Sequence, residues 1–264
     1  MASRSMWKGS ISFGLVNIPA KVYLATENRE LSFNQLCPNG HRIQYKKWCP
    51  IDEKEIGYAD VKKGYQLSKD SYIAIDKKDI ENIKLKTTTT IDVKEFIEAK
   101  ELDPILIERS YYVAPDTKRG SVDKAYSLLV RILSETNKIA IGKVVFKDKE
   151  HVVALRAYQR GILMHILHYL DEIRPVDEIE GFTDAHKIKT DNKEELSLGK
   201  LLVENLSSKH FDMSKYSDSY TKELKKLVEA KSKGKTYAKP VVKEKEGTKD
   251  LVAALKASLQ KKKK

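Results

Sequence analysis

Apolar and polar positions alternate in short runs over the first half of the chain. Ser10-Ile11-Ser12-Phe13-Gly14-Leu15-Val16 and Lys21-Val22-Tyr23-Leu24 mix aromatic and β-branched residues close to Gly and Pro, which predicts two strands separated by a break at Pro19. Gly64 to Leu67 and Tyr72 to Ile75 read as two more, and Asp76 to Ile83 as a short helix capped by Asp76. Thr87 to Glu98 carries four threonines and then Ile91, Val93, Phe96 and Ile97, a pattern suited to a pleated surface. Pro104 to Val113 is a further strand. Ala125, Leu128, Leu129, Ile132 and Leu133 then repeat with a helical period, with Ser121 or Asp123 as the N-cap. Ile139 to Phe146, His151 to Tyr158 and Gly161 to Tyr169 follow as three strands. Many strands with one helix among them predict a mainly β fold with some α, a barrel or a sandwich.

From Glu194 the period becomes helical. Leu198, Leu201, Leu202 and Leu206 share one face, and Tyr220, Leu224, Leu227 and Val228 share another. Neither helix is apolar all round, so both are expected to pack as an arm or on a partner. Residues 232–248 have too little apolar content for a core and read as a linker. Lys249 to Gln260 forms a short amphipathic helix with Leu251, Val252, Leu255 and Leu259 on one side. Four lysines follow it. At about 12 residues such a helix is marginal alone and needs a partner surface.

The 264 residues suffice for one large domain with appendages, and 41% hydrophobic with 33% charged residues fits a globular chain. No run of about 18 apolar residues predicts a membrane span. The first residues lack the apolar core of a secretory signal, and two cysteines fit a reducing compartment, so a cytoplasmic location is expected. The net charge of +12 is unevenly placed. Residues 232–264 hold eleven lysines against Glu244, Glu246 and Asp250, a net +8, and residues 1–231 carry +4. A polyanionic partner has to be argued from local patches.

One such patch lies between Glu30 and Asp52, where no acidic side chain occurs and Arg42, Lys46 and Lys47 sit together. Read as a strand, alternation puts Arg42, Gln44, Lys46 and Trp48 on one face and Ile43, Tyr45 and Lys47 on the other. The first face suits a phosphate backbone better than a core, although a solvated edge strand has the same composition. Lys84, Lys86, Lys118, Arg119, Lys143, Arg156 and Arg160 are further candidate phosphate contacts at strand ends and turns. The spacing Cys37-x3-His41-x7-Cys49-x2-Asp52 offers two sulfurs, an imidazole and a carboxylate to a zinc ion. Its cysteine spacing is irregular and its last member is Asp, so two unconnected thiols and a surface histidine are the simpler reading. His165 and His168, three apart on a strand, point to opposite faces and do not converge on one ion. There is no Walker or Rossmann loop, no HExxH, no GxSxG and no Lys-x-Asp-Gly. A binding protein without catalysis or cofactor is expected.

Trp7-Lys8-Gly9-Ser10-Ile11-Ser12-Phe13-Gly14-Leu15-Val16-Asn17-Ile18-Pro19 resembles the opening of prokaryotic Ku, the DNA-end-binding family of non-homologous end joining. Tyr45 to Pro50, Lys63-Gly64-Tyr65, Tyr111 to Asp116, Ala140 to Val145, Tyr216 to Tyr220 and Asp250 to Leu259 resemble the same family in the same order. Asp52 stands where family members often carry a cysteine, which counts against zinc. The resemblance implies a β-barrel domain over residues 1–193, with residues 29–65 as a bridge over DNA. It implies a helical arm at 194–231 that holds a second subunit, and a tail at 249–264 that recruits an ATP-dependent DNA ligase through Leu251, Val252, Leu255 and Leu259. The implied assembly is a nucleoid-associated homodimeric ring, threaded by the end of a double-stranded DNA and without sequence preference. The alternative from the residues alone is a basic β-barrel protein that binds RNA.

Overall fold

The computed structural model describes residues 4–69, 71–83, 89–117, 123–147, 149–182 and 192–237, with Val252, Ala254, Leu255, Lys256 and Ser258 near the C-terminus. The chain divides into two compact units, Met1–Arg174 and Pro175–Lys264. The first begins with β1 (Trp7–Phe13), β2 (Val16–Leu24), β3 (Trp48–Cys49), β4 (Lys54–Glu55), β5 (Lys63–Ser68), β6 (Ser71–Ile75) and α1 (Lys77–Ile83). It continues with β7 (Thr90–Glu98), β8 (Ile107–Pro115), α2 (Lys124–Thr136), β9 (Lys138–Phe146), β10 (Lys149–Tyr158) and β11 (Gly161–Leu167).

Seven of these strands close a barrel in the order β1-β2-β8-β11-β10-β9-β7. All neighbours are antiparallel except the closing pair, where Ser10, Ile11 and Ser12 lie parallel to Thr90, Ile91 and Asp92. Closure removes the edges that an open sheet of this size would expose. Inward-facing Ile11, Ile18, Val22, Ile91, Val113, Leu155, Ile162 and Met164 fill the interior. Helix α2 adds Tyr126, Leu129 and Leu133; of the face read from its period Ala125 is half-buried, whereas Leu128 and Ile132 are exposed. Asp123 caps it, its Oδ1 accepting from the N–H groups of Ala125 at 2.7 Å and Tyr126 at 3.1 Å. Ser121 lies outside the described residues.

Pro19 does not break the chain. It sits inside β2, opposite Ser10 of β1, and the turn falls earlier, at Gly14-Leu15. The Pro19 carbonyl accepts from the Asp116 N–H at 3.0 Å, so the Pro19 nitrogen also faces the β8 side, just past the end of the β2–β8 ladder. The missing N–H therefore costs no β1–β2 hydrogen bond, the condition under which a strand tolerates proline. The strand predicted from Pro104 also starts later. Residues Pro104–Leu106 form a 3-10 turn capped by Asp103, whose carboxylate accepts from the Ile105 N–H at 3.0 Å.

Strands β9 to β11 are apolar on both faces because both are covered. Ala140, Val144 and Phe146 point into the barrel, whereas Ile139, Ala154 and Leu167 form a second cluster outside it. That outer cluster is roofed by Ala99, Leu102 and Leu106 of the β7–β8 connection. At Gly142 a Cβ would stand 2.5 Å from the Asp92 carbonyl oxygen, where the β7–β9 register slips by one residue at Lys94. A side chain at 142 would push the bulged strand away.

In the second unit α3 (Lys193–Leu206) is capped by Asn192 and α4 (Ser219–Ser232) by Asp218. Neither has a fully buried residue: Leu198, Leu202, Leu224 and Leu227 are half-buried, and Leu201, Leu206, Tyr220 and Val228 are exposed. No helix among the described residues is long and apolar enough to cross a membrane.

Candidate nucleic-acid interface

Between the end of β2 and the start of β7 the chain leaves the barrel, and among the described residues from 24 to 89 none is buried. This excursion has only local structure. Cys37 and His41 bracket a turn in which the Cys37 N–H donates to the His41 carbonyl at 2.8 Å, with Gly40 in the left-handed region at φ 82°. The Ile43 N–H donates to the Gln35 carbonyl, closing a small loop over 35–43. Strands β3 and β4 pair Trp48 with Glu55 and Cys49 with Lys54. Strands β5 and β6 form a hairpin exposed along nearly all its length.

The uninterrupted strand read through Arg42 to Trp48 is absent. Arg42 makes one isolated bridge with Leu36, residues 43–47 pair in no ladder, and β3 is two residues long. With no neighbouring strand along 43–47, alternation cannot define a common face for Arg42, Gln44, Lys46 and Trp48. The basic residues project from loops instead. Among the described residues Arg42 has no carboxylate partner, and it is exposed. Lys46 Nζ lies 2.7 Å from Glu55 Oε2, a contact that holds the lysine pKa above its ordinary value. Lys47 is half-buried with its ammonium 3.9 Å from the centre of the Tyr58 ring, a cation–π contact that fixes its direction.

The other candidate cations are spread over the barrel. Lys143, on the outer face of β9, is 2.8 Å from Glu150, and this pairing raises its pKa. Arg156 is exposed on β10, and Arg160 is exposed in the β10–β11 turn. Lys84, Lys86, Lys118 and Arg119 lie outside the described residues, as do Leu251 and Leu259 of the tail stripe. Of that stripe Val252 and Leu255 are half-buried and helical.

The sequence reading missed two features. Glu55 reaches back to Lys46 through the β3–β4 hairpin, a fold-dependent contact nine residues apart. The excursion also carries an open series of aromatics, with Tyr45, Trp48, Tyr58, Tyr65 and Tyr72 each exposed by 60% or more. The signal for the second was available: aromatic residues interleaved with cations in a segment too polar for a core.

The zinc set is only half assembled. Cys37 Sγ is 3.8 Å from His41 Nδ1, and the Asp52 N–H donates to Cys49 Sγ at 3.5 Å. No three His, Cys, Asp or Glu groups gather around a common point among the described residues.

The two barrel histidines do diverge. His168 contacts Glu172 at 3.3 Å on the surface. His165 is buried on the outer side of β11, with Nδ1 2.8 Å from Ser110 Oγ and, among the described residues, no hydrogen-bond partner for Nε2. Burial lowers the His165 pKa, and the nearby Arg156 charge lowers it further. The unfolded chain therefore binds a proton at about pH 6.5 that the folded chain still refuses. This contribution to stability is present above that pH and lost as pH falls towards the folded pKa. Thermal melts should lose more on going from pH 7 to pH 5 in the parent than in His165→Gln. Equal losses would show that His165 does not carry the effect.

Residues 12–198 match the family model described as "Ku70/Ku80 beta-barrel domain". The chain is 42% identical over 258 residues to the "Non-homologous end joining protein Ku" of Archaeoglobus fulgidus, covering 97% of this chain and 98% of that one. It is 37% identical to the protein of the same name from Desulfitobacterium hafniense, covering 97% of this chain and 87% of that one. To that of Bacillus subtilis it is 36% identical, covering 97% and 81%.

Proposed function

The chain belongs to the Ku family, and from that premise we propose that it binds double-stranded DNA ends as a homodimeric ring, without sequence preference and without a catalytic step of its own. The observation that carries this reading is the excursion between β2 and β7. It is tethered to the barrel at both ends, buries nothing of its own, and presents Arg42, Lys46 and Lys47 among exposed aromatics. An isolated two-stranded hairpin such as β5–β6 is marginal in water. A segment of this kind is stabilised by what it covers: a second copy, a duplex, or both. Duplex DNA presents one charge per ~1.7 Å of axis, so spaced cations suffice to hold it and base readers are unnecessary. The partly exposed apolar stripes of α3 and α4 supply the surface for a second subunit, whose two-fold axis matches the pseudo-dyad of the duplex. On this reading residues 194–231 serve dimerisation and the protein acts on the chromosome in the cytoplasm.

The test is a mobility shift of one linear fragment against its circularised form at several salt concentrations. A threaded ring retains the linear form and loses it steeply with salt. Equal retention of the closed circle rules out threading.

We further propose that residues 249–264 recruit the ATP-dependent ligase of end joining. Deleting them should leave end binding within about twofold and abolish ligase stimulation, as expected for an independent helix-in-groove contact. Undiminished stimulation refutes the assignment.

A further inference from the structure

Helix α3 exposes more apolar surface than one neighbour needs. Leu198 and Leu202 are half-buried, whereas Leu196, Gly199 and Val203 form a separate stripe about 110° round the helix, with Leu196 and Val203 still 51% and 65% exposed. Gly199 stands at the middle of that stripe, and none of the described residues comes within 4 Å of where its Cβ would be. A mid-helix glycine is unfavourable for propensity, and here it leaves a groove. Leu255 forms a wall of this groove, together with Glu195, Lys200 and Glu204. One residue on, Lys256 Nζ is 2.9 Å from Glu194 Oε1. Charge agrees with the contact: Glu195 and Glu204 border the groove, and the last sixteen residues of the sequence hold six lysines and one acid.

We propose that the Leu196–Gly199–Val203 groove of α3 is the docking site for the chain's own C-terminal segment, and that docking there excludes partner recruitment by the same segment. The exclusion rests on the recruitment reading above, because Leu255 belongs to the stripe assigned to the ligase and cannot fill two surfaces at once. The contact is weak by construction. Lys256 and Glu194 are both largely exposed, so their pairing contributes little, and among the described tail residues only Leu255 lines the groove. Covalent attachment compensates, since a tethered segment meets its site at an effective concentration on the order of millimolar. A contact of that strength is populated in the free protein and yields to a tighter partner. If half to nine-tenths of the molecules are docked, the tail's apparent affinity for a partner falls by roughly two- to tenfold.

Hydrogen exchange of the α3 amides in the full-length protein tests this directly. Leu255→Asp and Glu194→Lys should each speed exchange over residues 194–206 by roughly two- to tenfold, the loss expected from emptying such a site. The double variant Glu194→Lys/Lys256→Glu should restore protection relative to Glu194→Lys. Exchange unchanged in Leu255→Asp overturns the proposal, and so does a difference between Leu255→Asp and the parent that vanishes on dilution, which would identify the occupant as a second copy's tail. Ligase stimulation by Leu255→Asp reports on recruitment alone. If it persists while α3 exchange quickens, recruitment fails and the docking site stands.

Discussion

Replacing Arg42, Lys46 and Lys47 together by alanine is expected to weaken binding to a blunt duplex by roughly two orders of magnitude at low salt, at about 1 kcal/mol for each lost charged contact. The same variant should flatten the dependence of log K on log salt by roughly one unit per lost phosphate contact. The three residues are not equivalent. Arg42 has no carboxylate partner among the described residues, so its charge is available to a phosphate at no internal cost. Lys46 has to leave Glu55, 2.7 Å away, before it can serve DNA. Arg42→Ala should therefore cost more than Lys46→Ala, and Glu55→Gln should strengthen binding. Lys47 is held over the Tyr58 ring, so Tyr58→Ala should weaken binding through loss of position with no change in charge. Filter binding at four or more salt concentrations measures both quantities. A triple variant with the parent's slope would remove this stretch from the interface.

The barrel was legible because its strands obey the two-residue period that a half-buried sheet imposes, and α2 because Leu129 and Leu133 recur one turn apart on the buried face. Strands β9 to β11 announced themselves as near-continuous apolar runs, but the sequence carried no sign of what covers their outer face. That cover comes from Ala99, Leu102 and Leu106, which are close to β11 only after the barrel has closed. The buried His165 was hidden for the same reason, since its partner Ser110 lies 55 residues away in sequence on β8. Pro19 was misread because a proline's effect depends on which side of the strand its nitrogen faces, a property of the pairing rather than of the residue. The excursion was legible as chemistry and not as geometry. Its cations are plain in the sequence, but a strand period needs a second strand to enforce it, and none of the described strands pairs with residues 43–47.

Substituting Tyr126 should produce the largest loss of stability. Its hydroxyl is buried where α2 meets the barrel, donating to the Val113 carbonyl at 2.6 Å and accepting from the Ile162 N–H at 3.1 Å. Val113 and Ile162 are the paired residues of β8 and β11, so one phenol serves a backbone acceptor and a backbone donor on adjacent strands. Burial raises the Tyr126 pKa, which keeps the proton needed for donation to Val113. The fit is close on the far side too, since a Cβ at Gly161 would stand 2.9 Å from the hydroxyl oxygen. Tyr126→Phe keeps the ring and strands two buried backbone groups, an expected cost of about 1–3 kcal/mol. Tyr126→Ala also empties the ring's volume and should cost about 3–5 kcal/mol, against a total of about 5–15 kcal/mol for a typical domain. Denaturant titration should show the midpoint falling in that order with little change in slope. Serine at 126 should rank with alanine, because a short hydroxyl on the helix cannot reach Val113. A Tyr126→Phe protein as stable as the parent would mean that the β8–β11 ladder satisfies these groups without the helix, and that α2 holds the barrel through Leu129 and Leu133 alone.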